Sequence, residues 1–211
     1  MHMKTKLLFG LCFLTLLIPS LHEAHAADRK GTAAVKKAND TIKALLKEKA
    51  APGSSKEQAL ASKVTKRVRG FLDVAELGRR AMRDHWGNLT KKQKKSFLTV
   101  LSELIEKNYI LGLRSNLDYE VQYLSEKAED DNILVETSIR DKASETSRAI
   151  SIGYVLHTDK GKLRAYDVIT DGVGLVENYR SMFNQIIGKE GFDGLLLRMK
   201  RKRDSLAKTK E

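Results

Sequence analysis

Residues 166–187 read YDVITDGVGLVENYRSMFNQII, and within them a strand pattern gives way to a helix pattern with almost no spacer. The first part alternates as a strand does, whereas from Leu175 onward apolar residues recur at spacings of three and four, as they do in a helix. Asp171 to Gly174 form a sharp turn between the two. Its glycines allow the turn to be tight, so we predict that the chain lays a helix across the sheet directly after a strand.

The rest of the sequence predicts helices, then a contiguous block of strands, then helices again. Four alternating segments lie between Tyr119 and Ile169 and are separated by turn-forming residues, which is typical of an antiparallel meander. We therefore predict an α+β fold, with a twisted four-stranded antiparallel sheet covered by N-terminal and C-terminal helices. The turns are predicted at Asp130-Asp131, near Lys142 to Thr146 and at Asp159 to Gly161. The apolar face of the sheet is predicted to carry Ile133, Val135, Ile150, Ile152, Tyr154 and Leu156.

Capping residues mark the expected helix boundaries. Ser55 is predicted to cap the second helix and Asp73 a shorter one. Thr90 and Gln93 have the spacing of a capping box before the longest helix. Glycines at 188 and 191 are predicted to divide the last helical segment into Leu175 to Ile187 and Phe192 to about Arg203.

The first 26 residues have the pattern of a secretory signal peptide. Lys4 and Lys6 precede the apolar run Leu7 to Ile18, and Ala24-His25-Ala26 supplies small residues at the cleavage positions. A membrane-spanning helix needs about 20 apolar residues, more than this run contains, so we predict cleavage after Ala26. The remaining chain is expected to be one domain, residues 27–205, followed by a basic flexible tail, residues 206–211.

Composition narrows the classes of function. The single cysteine, Cys12, lies in the predicted signal peptide, so the mature chain has neither a disulfide framework nor a thiolate metal site. The formal net charge of the chain is +12, a balance that would indicate nucleic-acid binding in a cytosolic protein. An exported protein meets anionic membranes and acidic envelope polymers instead, so no nucleic-acid partner is predicted.

Candidate residues for catalysis or metal binding are sparse. His85 and His157, the histidines of the mature chain, have no second histidine within four positions, so neither a metal site nor a cofactor is predicted. Asp167 is placed by alternation on an apolar strand face with Leu163 and Ala165. We interpret it either as a general base whose pKa is raised by burial, or as a buried hydrogen-bond acceptor that holds a loop or helix end.

Two blocks of sequence together form one long pattern. The first block runs from Phe71 to Tyr109, and its characteristic residues are Phe71, Val74, Trp86, Thr90, Gln93, Phe97 and Tyr109. The second block is the opening stretch, with Asp167, Val168, Gly172, Val173, Leu175, Asn178, Tyr179, Arg180 and Phe183. In these residues the chain resembles the MlaC (toluene-tolerance) family of periplasmic phospholipid carriers. Two positions depart from the pattern, because Gly174 replaces a serine and Leu163 replaces a frequent tryptophan.

The resemblance implies a soluble periplasmic lipid carrier that is not an enzyme, and we expect it to be a monomer. The implied cargo is a phospholipid whose acyl tails lie in a slot between helices and sheet, with its head group near solvent. The implied partners are an inner-membrane ABC transporter with a lipid-binding MCE domain and an outer-membrane lipoprotein–porin complex. Its implied role is to shuttle phospholipid between the two membranes and so maintain outer-membrane lipid asymmetry, and a hopanoid is the alternative cargo.

Two sets of residues are predicted to form the site. The apolar slot is expected to be lined by Val74, Leu77, Met82, Leu101, Ile105, Tyr154, Val173, Val176, Tyr179 and Phe183. The head group or a partner is expected to be contacted by Arg79, Arg80, Arg83 and Arg180. Two other functions stay open, a small-molecule enzyme that uses Asp167 in an apolar pocket and an envelope chaperone that needs no cavity.

Overall fold

The structure is a computed structural model that describes residues 29–51, 53–115, 119–142 and 148–208, and only the backbone of residues 108–115 and 207–208. The predicted signal peptide lies outside the described residues, as does most of the turn predicted near Lys142 to Thr146. The helices are α1 Lys30–Lys47, α2 Ser55–Phe71, α3 Val74–Ala81, α4 Arg83–Trp86, α5 Lys91–Ser115 and α6 Leu175–Lys208. The strands are β1 Tyr119–Glu129, β2 Asn132–Asp141, β3 Ile150–Asp159, β4 Lys162–Thr170 and β5 Val173–Gly174.

The five strands form one antiparallel sheet in which they follow the order of the sequence. This confirms the predicted α+β fold and its meander, and it adds the two-residue strand β5, which the sequence pattern assigns to a turn. The β3–β4 hairpin turns through Lys160 and Gly161, with φ angles of 49° and 75°. Positive φ at both central residues is the conformation that a two-residue hairpin needs.

The helix caps follow the sequence with one shift. Ser54, rather than the predicted Ser55, is the N-cap of α2, and its side chain accepts a hydrogen bond from a first-turn backbone N–H at 3.2 Å. Asp73 caps α3 as predicted. Thr90 and Gln93 form the predicted capping box, because each side chain accepts a hydrogen bond from the backbone N–H of the other residue.

The last helical segment bends where the sequence predicts a break. Gly191 has φ 67° and ψ 179°, values that do not belong to a helix, and it interrupts α6. Beyond this residue the helix continues to Lys208, past the end predicted near Arg203.

A β-bulge in β4 changes which residues face the helices. Val155 pairs with Asp167, but its neighbour Leu156 pairs with Ala165, so Tyr166 is an extra residue in the strand. Because side chains alternate along a strand and the bulge shifts this alternation, Asp167 lies on the opposite side of the sheet from Ala165. The common face predicted for these two residues is therefore wrong.

The helices cover one side of the sheet unevenly. Where the β1–β2 and β3–β4 hairpins turn, Val135, Leu156 and Ala165 have no exposed surface, and we call this the closed end of the sheet. At the opposite end, which we call the open end, Ile150 is 44% exposed and Val173 is 62% exposed. Within the described ranges, none of the helices is both long enough and apolar enough to span a membrane.

Candidate functional site

Helix α1 is fixed to the closed end of the sheet by a carboxylate. Glu126 of β1 accepts hydrogen bonds from the backbone N–H groups of Gly31 and Thr32, at 3.1 and 2.7 Å, and from the Thr32 hydroxyl at 2.7 Å. A carboxylate at a helix N-terminus satisfies unpaired N–H groups and interacts favourably with the helix dipole. A Cβ at Gly31 would lie 2.7 Å from a methyl of Ile133, so helix and sheet are in direct contact here.

Asp73 joins the start of α3 to β3 and β4. One carboxylate oxygen accepts the N–H of Glu76 at 3.1 Å, and the other lies 3.0 Å from His157 Nε2 and 3.2 Å from a terminal nitrogen of Arg164. The backbone N–H of Asp73 also donates to the carbonyl of Ala165 at 2.6 Å. The Asp73 side chain is 8% exposed, so these bonds fix the helices firmly to the closed end.

The predicted slot residues divide into buried and exposed members. Tyr179 is partly buried and packs against the hydrophobic core that the buried members form. Val173 lies at the open end and is 62% exposed. The structure therefore brings nine of the ten residues together but places most of them in a filled core. The buried members are Val74, Leu77, Met82, Leu101, Ile105, Tyr154, Val176 and Phe183.

Aromatic rings fill the space between α5 and α6. Phe97 meets Phe183 edge to face with ring centroids 5.4 Å apart, and Phe183 stacks on Tyr179 at the same distance. The ring centroids of Trp86 and Phe192 lie 6.4 and 6.5 Å from that of Phe97. Such pairs contribute about 0.5–1.5 kcal/mol beyond the area they bury, so this part of the predicted lining stabilises the fold and is already occupied by side chains.

Apolar side chains at the open end are only partly covered. Val121, Ile139 and Ile150 pair across β1, β2 and β3 and so form a row on the helix-facing side. Val121 and Ile139 are half-buried and Ile150 is exposed. We call these three residues the apolar row. It extends the helix-facing apolar surface of the sheet out to solvent at the open end.

Two cavities border the helices near this surface. One, of about 180 Å³, lies between α1 and β1 and is lined by Lys36, Asn39, Asp40, Lys43, Tyr119, Glu120, Val121, Tyr123 and Lys142. The other, of about 210 Å³, lies between α1 and α2 and is lined by Leu45, Leu46, Glu48, Ala50, Glu57, Leu60, Ala61 and Val64. Each is smaller than the roughly 300–1,000 Å³ that usually encloses a drug-sized ligand, so neither of these two cavities would enclose a ligand with two long chains unless the helices move.

Three tyrosines line the region beneath α1. Burial raises the pKa of Tyr154 to about 12 and also raises the pKa values of Tyr119 and Tyr123. The Asn39 side-chain amide donates to the Tyr123 hydroxyl at 3.4 Å. At neutral pH these phenols are therefore neutral hydrogen-bonding groups next to apolar surface.

The four predicted head-group arginines lie near the C-terminal end of α3 and the start of α6, and each is paired with a carboxylate. Glu76 bonds to Arg79 at 2.6 Å and to Arg80 at 2.8 Å. Hydrogen bonds from Arg79, and then from Arg80, lower the pKa of Glu76 to about 2. Arg180 bonds to Glu177 at 2.6 Å and donates to the backbone carbonyl of Arg80 at 3.2 Å. A phosphate at this cluster would have to compete with these carboxylates.

Arg83 and Arg80 make further contacts beside this cluster. Arg83 lies 3.4 Å from Asp84 and its side chain is 69% exposed. The guanidinium of Arg80 also lies over the ring of Tyr166, 3.9 Å from the centroid. The structure thus brings Arg79, Arg80 and Arg180 together and leaves Arg83 beside them on the surface.

Asp167 holds the start of α6. Its carboxylate accepts the backbone N–H of Val176 at 3.1 Å and that of Val168 at 2.9 Å. Burial raises the pKa of this carboxyl group, and the hydrogen bonds from backbone N–H groups oppose that shift. A Cβ at Gly174 would lie 2.9 Å from the carboxylate, so the absence of a side chain lets Asp167 reach the helix. This geometry is that of a half-buried hydrogen-bond acceptor at a helix end.

The two histidines within the described residues, His85 and His157, each lie at hydrogen-bond distance from a side-chain oxygen. His85 Nε2 lies 2.9 Å from the side-chain oxygen of Asn184, and His157 bonds to Asp73. Across the described residues, no group of three histidine, cysteine, aspartate or glutamate side chains has the arrangement of a metal site.

Four residues that border the cavity between α1 and β1 are missing from the predicted site, namely Lys36, Lys43, Tyr119 and Tyr123. Their positions carry a signal in the sequence, because Tyr119 and Tyr123 alternate with polar residues along a strand and the lysines lie on the polar side of α1. A pattern of this kind identifies faces of elements, but it does not show that two such faces meet.

Comparison with known proteins gives a consistent result. Residues 36–201 match the sequence model of the MlaC protein family. The intermembrane phospholipid transport system binding protein MlaC of Haemophilus influenzae is 21% identical over 131 residues, an alignment that spans 61% of this chain and 61% of that protein. A phospholipid-binding protein from Ralstonia solanacearum, whose structure contains a phospholipid, has a TM-score of 0.70 at 20% identity over 83% of this chain and 97% of that chain. This likeness confirms the fold.

Proposed function

This chain belongs to the MlaC family, and on that premise we propose that it binds a phospholipid and transports it without catalysing a reaction. The observation that carries the proposal is the uneven cover of the sheet, which leaves the apolar row half-exposed at one end of a fold shared with a phospholipid-binding protein. In this proposal the acyl tails enter at the open end and lie between the sheet and the helices.

The energetics of the cargo explain why such a slot is needed. Each buried methylene contributes about 0.8 kcal/mol, so two acyl chains of roughly fifteen carbons represent more than ~20 kcal/mol of burial. A carrier must offer an apolar environment of similar quality to a bilayer, and not a better one, because release would otherwise become too slow. A slot that forms when helices separate meets this requirement, since opening costs packing energy that offsets part of the burial.

The contacts between the helices and the sheet favour a separation of the two layers at the open end. Glu126 and Asp73 hold α1 and α3 at the closed end through hydrogen bonds, whereas Ile150 and Val173 are exposed at the other. We propose that the exposed Val173 and the partly buried Tyr179 contact the tails first. The buried members of the predicted lining become accessible only as the helices move, namely Val74, Leu77, Met82, Leu101, Ile105, Tyr154, Val176 and Phe183.

The cellular setting is proposed from the sequence and the family. Cleavage after Ala26 would release the chain as a soluble periplasmic monomer. There it would shuttle phospholipid between the outer and inner membranes, with an MCE-domain ABC transporter and an outer-membrane lipoprotein–porin complex as partners, and so support lipid asymmetry. The contribution of Arg79, Arg80, Arg83 and Arg180 in this setting is to contact those partners, because their carboxylate pairing disfavours a phosphate.

Native mass spectrometry of the purified protein, with lipid extraction of the same sample, tests the proposal. We expect an added mass of one diacyl phospholipid that disappears on denaturation. A polycyclic lipid instead would retain a carrier function and change the cargo to a hopanoid. A bare mass from several gentle preparations would contradict lipid binding.

A matched pair of variants localises the tails. Ile150→Asp places a charge in the apolar row, and because an ionised carboxylate is costly to bury, we expect it to lose most bound lipid. Leu197→Asp makes the same change at a residue that is 49% exposed on α6, and it should retain lipid. Equal loading of the two variants would contradict the proposed slot.

A further inference from the structure

The cavity between α1 and β1 has a charged rim and an apolar floor. Lys36, Asn39, Asp40 and Lys43 recur on one side of α1 at spacings of three and four, so they project together from the helix. They face Tyr119, Val121 and Tyr123, alternate residues of β1 that share one side of the strand. The cavity therefore joins a row of polar groups to aromatic and apolar surface.

Its cations are held by contacts that a ligand can replace. Lys36 lies 3.3 Å from Asp40, with the two side chains 60% and 62% exposed, and an exposed pair of this kind contributes about 0–1 kcal/mol. Lys43 donates to the backbone carbonyl of Tyr119 at 2.5 Å and lies over its ring, 4.4 Å from the centroid. Within the described residues, neither lysine is paired with a partly buried carboxylate, in contrast to Arg80, whose partner Glu76 is 17% exposed.

The balance of charge in the cavity favours an anion. Three lysines, Lys36, Lys43 and Lys142, line it against two carboxylates, Asp40 and Glu120. The phenols of Tyr119 and Tyr123 add neutral hydrogen-bond donors. Ammonium groups and hydroxyls are suitable donors for the oxygens of a phosphate.

The cavity is continuous with the apolar row. Val121 lines the cavity and pairs with Ile139, which pairs with Ile150. Val121 thus belongs to both surfaces, and the other two residues of the apolar row follow on the next two strands, each about 4.8 Å further on. A group bound at the lysines is therefore next to the row on which we place the acyl tails. A molecule with a phosphate at one end and hydrocarbon at the other fits this sequence of surfaces.

We propose that the cavity between α1 and β1 binds the phosphate of the carried phospholipid through Lys36 and Lys43. The inference rests on the proposed function and adds the site of the head group. It replaces the arginine cluster predicted from sequence as the phosphate contact.

The test compares two lipids with the same tails in calorimetric titrations of delipidated protein. Dihexanoyl phosphatidylglycerol carries the phosphate and dihexanoylglycerol lacks it. We expect the double variant Lys36→Gln/Lys43→Gln to bind the phospholipid about tenfold more weakly and the neutral lipid unchanged. Lys36→Arg/Lys43→Arg should restore most of the affinity. The matched control Lys63→Gln/Lys66→Gln removes two charges from exposed positions of α2 and should have no effect.

The possible results separate the site from the function. If the unchanged protein binds neither lipid, the proposed function fails and the head-group site fails with it. If it binds both lipids equally, or if the glutamine variant weakens both equally, the protein carries lipid but the head-group site is wrong. Lysine-dependent binding of glycerol 3-phosphate with an affinity similar to that of the phospholipid would assign the cavity to free phosphate esters and overturn the lipid assignment.

Discussion

Replacing Asp73 by alanine tests the attachment of the helices to the closed end of the sheet. The change removes the N-cap of α3 and the carboxylate that contacts His157 and Arg164 at 3.0 and 3.2 Å. Loss of an N-cap costs about 1 kcal/mol, and removing one partner of a buried ion pair costs about 3–5 kcal/mol. Arg164 keeps Asp159 at 2.9 Å and two backbone carbonyls at 3.0 Å, so we expect a total loss of about 3–4 kcal/mol.

Urea unfolding monitored by circular dichroism measures this loss. A domain of this size is stable by about 5–15 kcal/mol, so the variant should fold but unfold at clearly lower urea. Asp73→Ser keeps a side-chain acceptor for the Glu76 N–H and should recover about 1 kcal/mol. Asp193→Ala removes a carboxylate from an exposed position of α6 and serves as the control. A loss below about 1 kcal/mol for Asp73→Ala, at unchanged urea dependence, would refute the proposed role of Asp73.

Three further predictions concern α3 and α6. The pKa of Glu76, lowered to about 2 from 4.5, means that its ion pairs stabilise the fold above about pH 4.5 and stop doing so as the pH falls towards 2. Glu76→Gln should therefore reduce stability by about 1 kcal/mol near neutral pH. In unfolding experiments, the difference in stability between this variant and the unchanged protein should become smaller as the pH falls. A difference that does not change with pH would contradict the stabilising role of the ionised Glu76. Gly78→Ala places a Cβ 2.9 Å from a methyl of the buried Leu101 and should reduce stability by about 1–3 kcal/mol. Its control is Gly70→Ala in α2, where a Cβ meets nothing within 4 Å, so this change should increase stability by up to about 1 kcal/mol. Equal melting temperatures of the two variants would contradict the close contact at Gly78. Asp167→Asn keeps a hydrogen-bond acceptor for α6, so its stability should stay within about 1 kcal/mol of the unchanged protein and its lipid loading should be preserved. Asp167→Ala removes the acceptor and should reduce stability by about 1–2 kcal/mol. Loss of function by a stable asparagine variant would favour the enzyme interpretation of Asp167.

The order of helices and strands is readable from the sequence because each depends on local chemistry. The capping box at Thr90 and Gln93, the cap at Asp73 and the break at Gly191 all appear where side-chain type and spacing predict them. The hairpin at Lys160-Gly161 also follows from residues that accept positive φ. These features require only interactions between near neighbours in the chain.

The position of Asp167 shows where sequence reasoning stops. Alternation assigns it to the face of Ala165, but the extra residue Tyr166 shifts the strand and places it on the other side. A bulge depends on how two strands pair, and a pattern within one strand does not contain that information. The arginines of α3 and α6 are a different case, because their carboxylate partners Glu76 and Glu177 lie three or four residues away on the same helix. That pairing is readable from the spacing in the sequence.

Burial also separates two classes of residue that have the same apolar character in the sequence. Phe183 and Ile150 both fit an apolar face, yet Phe183 has no exposed surface and packs between aromatic rings, while Ile150 is 44% exposed. At the closed end, Glu126 and the buried Asp73 bond α1 and α3 to the sheet. At the other end, Lys43 bonds α1 to Tyr119 and Asp167 bonds the start of α6, yet Ile150 and Val173 stay exposed. In the function proposed above, a lipid would enter where apolar side chains are exposed. This exposure is set by how the helices pack on the sheet, which the apolar pattern of the sequence does not contain.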